Sequence, residues 1–193
     1  YERLLQSAKL MHISVDYTVD QLVALTNELL EKNNLSNAYI RPLIYLGSNM
    51  KLEPTSKSNL LLCAWEWGTY LGQDLVKAMW SSYQRPNPKS CHVEAKTVGH
   101  YTNSILATTE AKAAGYDEAL LCDQNGYVAE ASGANFFYEK DGVLYTPPLG
   151  NILAGITRAT ILEMCTELDF EVREEFFKPE ALNDADGAFF TGT

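Results

Sequence analysis

Glu130-Ala131-Ser132-Gly133-Ala134-Asn135-Phe136-Phe137 joins a carboxylate to an Asn and two aromatic rings through a run of small residues. The surrounding pattern predicts strands over 127–131 and 135–139. A strand made only for packing gains nothing from a carboxylate set among Ala129, Ala131 and Ser132. The bland alternative is an exposed strand Glu facing a Lys. The small neighbours favour a different reading, because they leave room beside the acid for a flat group that is not a side chain.

Upstream lies Lys96, in Val93-Glu94-Ala95-Lys96-Thr97-Val98-Gly99-His100-Tyr101. Most lysines are solvated surface charges. Ala95, Val98 and Gly99 predict a poorly solvating context here. A lysine drawn out of water loses proton affinity and becomes a usable amine nucleophile. Lysine also forms the Schiff base with the aldehyde of pyridoxal phosphate, and a carboxylate beside the pyridine nitrogen keeps that ring protonated as an electron sink. Lys96 and Glu130 together therefore predict an enzyme that uses pyridoxal 5'-phosphate. Asn135 either holds Glu130 or nearby backbone, or stands as a strand-edge residue.

Two stretches suit a phosphate. Ala154-Gly155-Ile156-Thr157 opens a predicted helix, where free N–H groups and the positive dipole end face outward. Thr191-Gly192-Thr193 is a small hydroxyl turn after a strand, and Arg3 supplies a candidate charge-assisted contact. Either stretch alone is an ordinary helix start or turn. In Tyr39-Ile40-Arg41, the phenol and the guanidinium share one side of a predicted strand. They make either an acid-recognition surface or a solvated pair. His12, His92 and His100 lack metal-ligand spacing, and neither a Gly-x-Ser-x-Gly nor a P-loop is present.

The 193 residues hold one large domain or two small ones, and a 46% hydrophobic fraction supports a core. Fifteen basic against 25 acidic residues give a net charge of −10. That balance disfavours a nucleic-acid partner, and no apolar run is long enough for a membrane span. Cys63, Cys91, Cys122 and Cys165 are dispersed, which predicts buried reduced thiols and a cytoplasmic setting. The chain opens at Tyr1 without Met and closes just after a predicted strand, which reads as part of a longer polypeptide.

Helices are expected over 2–11, with Leu4, Leu5, Ala8 and Met11 on one side, and from the Thr18-Val19-Asp20-Gln21 capping box to 32. Leu22, Leu25, Leu29 and Leu30 form the expected buried stripe of the second. Strands over 39–47 and 59–67 follow, then one over 76–83, a helix over 101–114, and strands over 118–122 and 143–146. A helix over 155–168 and strands over 171–177 and 188–191 complete the chain. Asn125-Gly126 and Asp141-Gly142 signal hairpins. Mixed elements with frequent hairpins predict an α+β fold rather than a doubly wound sheet.

Taken as a set, these motifs resemble the branched-chain amino acid aminotransferases of the class IV, fold-type IV pyridoxal-phosphate family. The resemblance rests on the Glu130–Phe137 run, Thr146-Pro147-Pro148, Leu153-Ala154-Gly155-Ile156-Thr157-Arg158, Tyr39-Ile40-Arg41-Pro42 and Trp67-Gly68-Thr69-Tyr70-Leu71-Gly72. It implies part of a small α/β domain over 1–66, an interdomain segment over 67–75 and a larger, barrel-like cofactor domain over 76–193. It also implies that Lys96 bonds the cofactor, Glu130 faces the pyridine nitrogen and Tyr101 lies near the phenolic oxygen. Arg3, Ile156, Thr157 and Thr193 would contact phosphate, with Gly192 shaping the turn and Leu153 packing on the ring. Tyr39, Arg41 and Tyr70 would read substrate carboxylates, with Thr193 beside them, and Trp67 would wall the side-chain pocket.

The implied reaction is transamination of Leu, Ile or Val with 2-oxoglutarate, in a homodimer or higher homo-oligomer completed by a loop such as 48–58. Where the family reads Gly-Gly-Asn-Tyr, this chain has Val98-Gly99-His100-Tyr101. Alternatives are a D-amino-acid aminotransferase, an amine transaminase, an aminodeoxychorismate lyase or a non-catalytic phosphate-binding relative.

Overall fold

The computed structural model describes residues 1–48, 50–54, 57–68 and 75–192. Its contacts divide the chain into two compact units, Tyr1–Gly72 and Gln73–Thr193.

The first unit holds helices α1 (Glu2–Leu10) and α2 (Val19–Lys32) and the antiparallel strands β1 (Tyr39–Leu46) and β2 (Ser58–Trp65). The capping box is complete: the Gln21 N–H donates to Thr18 Oγ1 at 3.2 Å, and the Thr18 N–H to Gln21 Oε1 at 2.9 Å. The buried stripe of α2 differs from the leucine stripe expected. Leu22 and Thr26 face inward, whereas Leu25 is exposed. Thr26 tolerates burial because its hydroxyl donates to the Leu22 carbonyl at 2.8 Å and also meets the Tyr1 hydroxyl. Met11, expected on the packed side of α1, is exposed: the helix ends at Leu10 and the chain turns at His12, φ 56°.

The second unit carries two sheets. In the first, β3 (Ala78–Gln84) runs parallel to β4 (Glu118–Cys122), which pairs antiparallel with β5 (Val128–Ala131). In the second the order is β8 (Val172–Glu174), β7 (Val143–Thr146), β6 (Asn135–Lys140) and β9 (Gly187–Thr191). Helix α3 (Tyr101–Ala113) lays Ala107 and Ala111 on Ala119 and Leu121 of β4. Helix α4 (Ile156–Glu167) packs Cys165 on Phe137 and Leu144. Alternation along β6 sends Phe136 and Tyr138 into a different cluster, with Leu120, Val128 and Phe177. Both faces of β5 and of the start of β6 are thus buried, and Glu130 and Asn135 are each 4% exposed. This mixed α+β arrangement has the expected class.

Local expectations hold at one turn and change elsewhere. Asp141 and Gly142, at φ 53° and 75°, form the two-residue turn foreseen between β6 and β7. Asn125-Gly126 also lies in a hairpin, between the antiparallel β4 and β5, but not as a two-residue turn. The buried Asp123 accepts from the N–H groups of Asn125 (2.8 Å) and Tyr127 (2.9 Å), and this side chain organises a wider loop. Strand β8 stops at Glu174, and Phe177 turns into the core while its carbonyl accepts from the Val128 N–H at 2.9 Å. Cys165 alone of the four thiols is buried; all four are free, and Cys63, Cys91 and Cys122 keep partial exposure. Among the described residues no helix is long and apolar enough to cross a membrane.

Candidate active site

Strand β5 turns Glu130 away from Ala129 and Ala131 into a shell made only of donors. Asn135 Nδ2 donates to Oε2 at 2.9 Å, and the Leu153 N–H reaches both oxygens at 3.1 and 3.2 Å. Arg85 Nη2 lies 2.9 Å from Oε1, with both side chains buried. Arg85 follows β3, and its own N–H donates to the Cys122 carbonyl at 2.9 Å, which fixes it to the end of β4. Burial pushes the Glu130 carboxyl up to about 7, while Arg85, the Leu153 N–H, Lys96 and Arg158 pull it back. A carboxyl poised there, facing only donors, suits a heterocyclic N–H.

Asn135 does two jobs from the first position of β6. The same Nδ2 also donates to the Leu153 carbonyl at 2.9 Å, so one amide ties the acid to the strap before α4. Its Oδ1 occupies the space where a Cβ on Gly155 would sit, 1.9 Å away. Gly155 has φ −71°, so close approach rather than backbone freedom demands the glycine. Gly155→Ala is expected to displace Asn135 and disturb Glu130. It should cost about 1–3 kcal/mol of stability, read as a lower urea midpoint, and weaken pyridoxal phosphate binding about tenfold, read by fluorescence titration.

Helix α4 begins at Ile156 with no side-chain cap, so its first N–H groups at Ile156, Thr157 and Arg158 lack intrahelical partners. Buried Arg158 locks this end in place by donating to the Pro147 carbonyl (2.8 Å) and to Glu174 (2.6 Å). The Thr191 hydroxyl, on the residue paired with Asn135, is buried without a hydrogen-bond partner. Gly192 passes close to the Gly133 carbonyl, 3.4 Å from where its Cβ would be. Thr193 and Tyr70 lie outside the described residues.

Lys96 precedes a short helical turn, Val98–His100, that leads into α3. Its ammonium stands 5.8 Å from the centre of the Tyr101 ring. The poorly solvating context expected from sequence is not found. Val93 and Ala95 point into the body of the unit, but Val98 is 70% exposed and Lys96 itself is exposed. Sequence neighbours on an irregular segment face different ways, so their polarity does not transfer to the lysine. The positive charge of Lys96 nevertheless acts on Glu130. His100, at the position where the resemblance expects Asn, donates to the Ala95 carbonyl. Burial first, then the nearby Arg85 charge, lower its pKa.

Arg3, Tyr39, Arg41 and Trp67 belong to the first unit. Arg3 lies on α1. On β1, Arg41 Nη2 donates to the Tyr39 hydroxyl at 2.9 Å. Trp67, just beyond β2, is more than half exposed. Sequence reasoning passed over Arg85, whose partner is remote along the chain, and Trp65, which reads as one more apolar strand residue.

The profile of the amino-transferase class IV family matches residues 1–193. The chain belongs to that family. It is similar to the branched-chain-amino-acid aminotransferase of Escherichia coli K12, at 40% identity over 200 residues that cover all of this chain and 65% of that protein. The crystal structure of the E. coli aminotransferase superposes with a TM-score of 0.95 at 40% identity, over 99% of this chain and 66% of that one. The branched-chain aminotransferase of Thermoproteus uzoniensis, solved with norvaline, gives 0.96 at 38% identity over 99% and 66%. The Thermobaculum terrenum branched-chain aminotransferase in its PLP form gives 0.92 at 32% identity over 99% and 64%. The fold is therefore that of the class IV aminotransferases. This class IV chain spans 65% of the length of the E. coli relative.

Proposed function

We propose that the protein is a pyridoxal-phosphate-dependent aminotransferase that passes the amino group of L-leucine, L-isoleucine or L-valine to 2-oxoglutarate. The observation that carries this reading is Glu130: buried, ringed by donors and within the field of Lys96. The bound cofactor would supply an aldehyde for covalent capture of amines and a pyridinium ring that draws electrons from the substrate Cα. The residues fit such a group. Glu130 would accept the ring N–H, held by Asn135, Arg85 and Leu153. Ile156 and Thr157 would turn the uncapped start of α4 to the phosphate, with Gly192, Thr193 and Arg3 as further contacts. Leu153 would pack on the ring, and Tyr101 would lie beside its phenolic oxygen.

In this reading Lys96 Nζ takes the proton from the substrate Cα and later returns it, as base and then acid. Arg41 and Tyr39 read the acid groups, helped by Tyr70, and Trp67 packs on the branched side chain. Residues 1–66 and 76–193 would act as the small and large domains on either side of a connecting segment. We place the protein in the cytoplasm, as a homodimer or larger homo-oligomer. Met50 and Leu52 are fully exposed, which supports the segment 48–58 as the contact with a neighbouring subunit.

The names of the relatives favour the branched-chain reading over a D-amino-acid aminotransferase, an amine transaminase or a lyase. Full-length protein loaded with pyridoxal phosphate should form glutamate from 2-oxoglutarate with L-leucine, L-isoleucine and L-valine. Turnover with D-alanine or a chiral amine, and none with L-leucine, would defeat the assignment.

A further inference from the structure

The paired strands of the first unit place Trp65 directly across from Tyr39. With Trp67 these rings close a triangle: Tyr39–Trp65 at 5.0 Å, Tyr39–Trp67 at 5.3 Å and Trp65–Trp67 at 5.7 Å between centroids. All three pairs are tilted, at 45°, 36° and 55°, within the range where aromatic pairs attract beyond the area they bury. Arg41 lies over two of the rings, with its guanidinium carbon 5.2 Å from the Tyr39 centroid and 5.8 Å from that of Trp65.

Such a platform suits a group that has to hold a direction in water. The Arg41 residue is exposed, and an exposed guanidinium on a flexible stem samples many rotamers. A ring face holds the cation by its π cloud and consumes none of its N–H donors. The Tyr39 hydroxyl fixes one corner at 2.9 Å. A second ring face adds to that bond by restricting rotation of the guanidinium plane. Trp65 supplies it and packs against Tyr39 at the same time. Trp65 is half-buried in the β1–β2 pair, so its own position is set by the strand register.

We propose that Trp65 is a positioning residue for acid recognition: it aims Arg41 at the distal carboxylate of a dicarboxylic substrate and thereby separates acid from apolar side chains. This deepens the proposed function and rests on its assignment of Arg41 to substrate carboxylates. Trp67, the partner ring on the other side of the triangle, serves the apolar side chain. The consequence is selective: a change at Trp65 penalises five-carbon diacids and spares branched monoacids.

The test uses full-length, pyridoxal-phosphate-loaded protein and two non-reacting probes, glutarate and 4-methylvalerate, followed by titration calorimetry. Trp65→Leu should weaken glutarate binding about fivefold and leave 4-methylvalerate within about twofold. Trp65→Phe, which keeps a ring face, should recover most of the loss and guards against a leucine variant that folds poorly. The KM for 2-oxoglutarate should rise in parallel while that for L-leucine stays put. Equal loss of both probes in both variants marks Trp65 as mere packing and overturns the proposal. So does unchanged glutarate binding in Trp65→Leu when Arg41→Ala weakens it. If Arg41→Ala leaves glutarate binding unaltered, the acid-reading assignment falls too, and the two failures are thereby told apart.

Discussion

Lys96→Ala should lower kcat for L-leucine about a thousandfold, because it removes the amine assigned to move the Cα proton both ways. The fold should be indifferent to the change. The side chain is exposed, and substitutions at exposed positions change stability far less than those in a core. A falling kcat with an unchanged unfolding midpoint would therefore be chemistry rather than damage. Lys96→Arg separates charge from proton transfer: it keeps the positive field on Glu130 but holds its proton too tightly to pass it on. It should be nearly as inactive as the alanine variant. Borohydride reduction of the loaded wild-type protein, followed by peptide mapping, should place the pyridoxyl group on the peptide containing Lys96. A label on any other lysine would remove this residue from the centre of the reaction.

Arg85→Met should destabilise the second unit substantially. Losing one member of a buried ion pair costs about 3–5 kcal/mol when the other charge stays behind. Glu130 evades part of that by taking up a proton, since burial already pushes it to about 7. A loss of about 2–3 kcal/mol at neutral pH is therefore expected. The pH dependence has a definite sign. The ordinary value for Glu130 is 4.5 and the folded value is higher, so the folded chain holds this proton longer than the unfolded one. Its contribution to stability is greatest below about 4.5, declines as pH rises towards about 7 and is level above. One proton limits the slope to about 1.4 kcal/mol per pH unit.

Arg85 is the charge that does most to hold Glu130 down, so without it the decline continues beyond neutrality. Urea unfolding of cofactor-free protein at about pH 5, 7 and 9 should show the variant losing further stability in the upper interval and the wild type holding level. Glu130→Gln should abolish this titration in both backgrounds. A wild-type profile identical to that of Glu130→Gln would mean the acid is not poised as described.

Glu130 was legible in the sequence because its surroundings were odd: a carboxylate among alanines gives a strand no packing benefit. The elements around it were legible as well, since period-two alternation on β6 and the Asp141-Gly142 turn are local signals. Arg85 carried no such mark. Its meaning comes from a partner on another strand, and neither its neighbours nor its spacing points there. The same holds for Trp65, whose value lies across the β1–β2 pair. The exposure of Lys96 was misread for a related reason: apolar neighbours inform a side chain on a regular element, where direction follows from spacing, but not on a bend. On α2, Thr26 replaced Leu25 in the core because two hydroxyl contacts made a polar residue fit there.

Asn135 has a wider consequence. One amide grips the acid, the strap at Leu153 and the empty Cβ space of Gly155. None of these positions can drift alone, since a methyl group at one end is felt as a misaimed carboxylate at the other. Variation among descendants of this chain is thereby channelled: the fixture around Glu130 is inherited whole or lost whole, and novelty in what the protein accepts has to arise elsewhere.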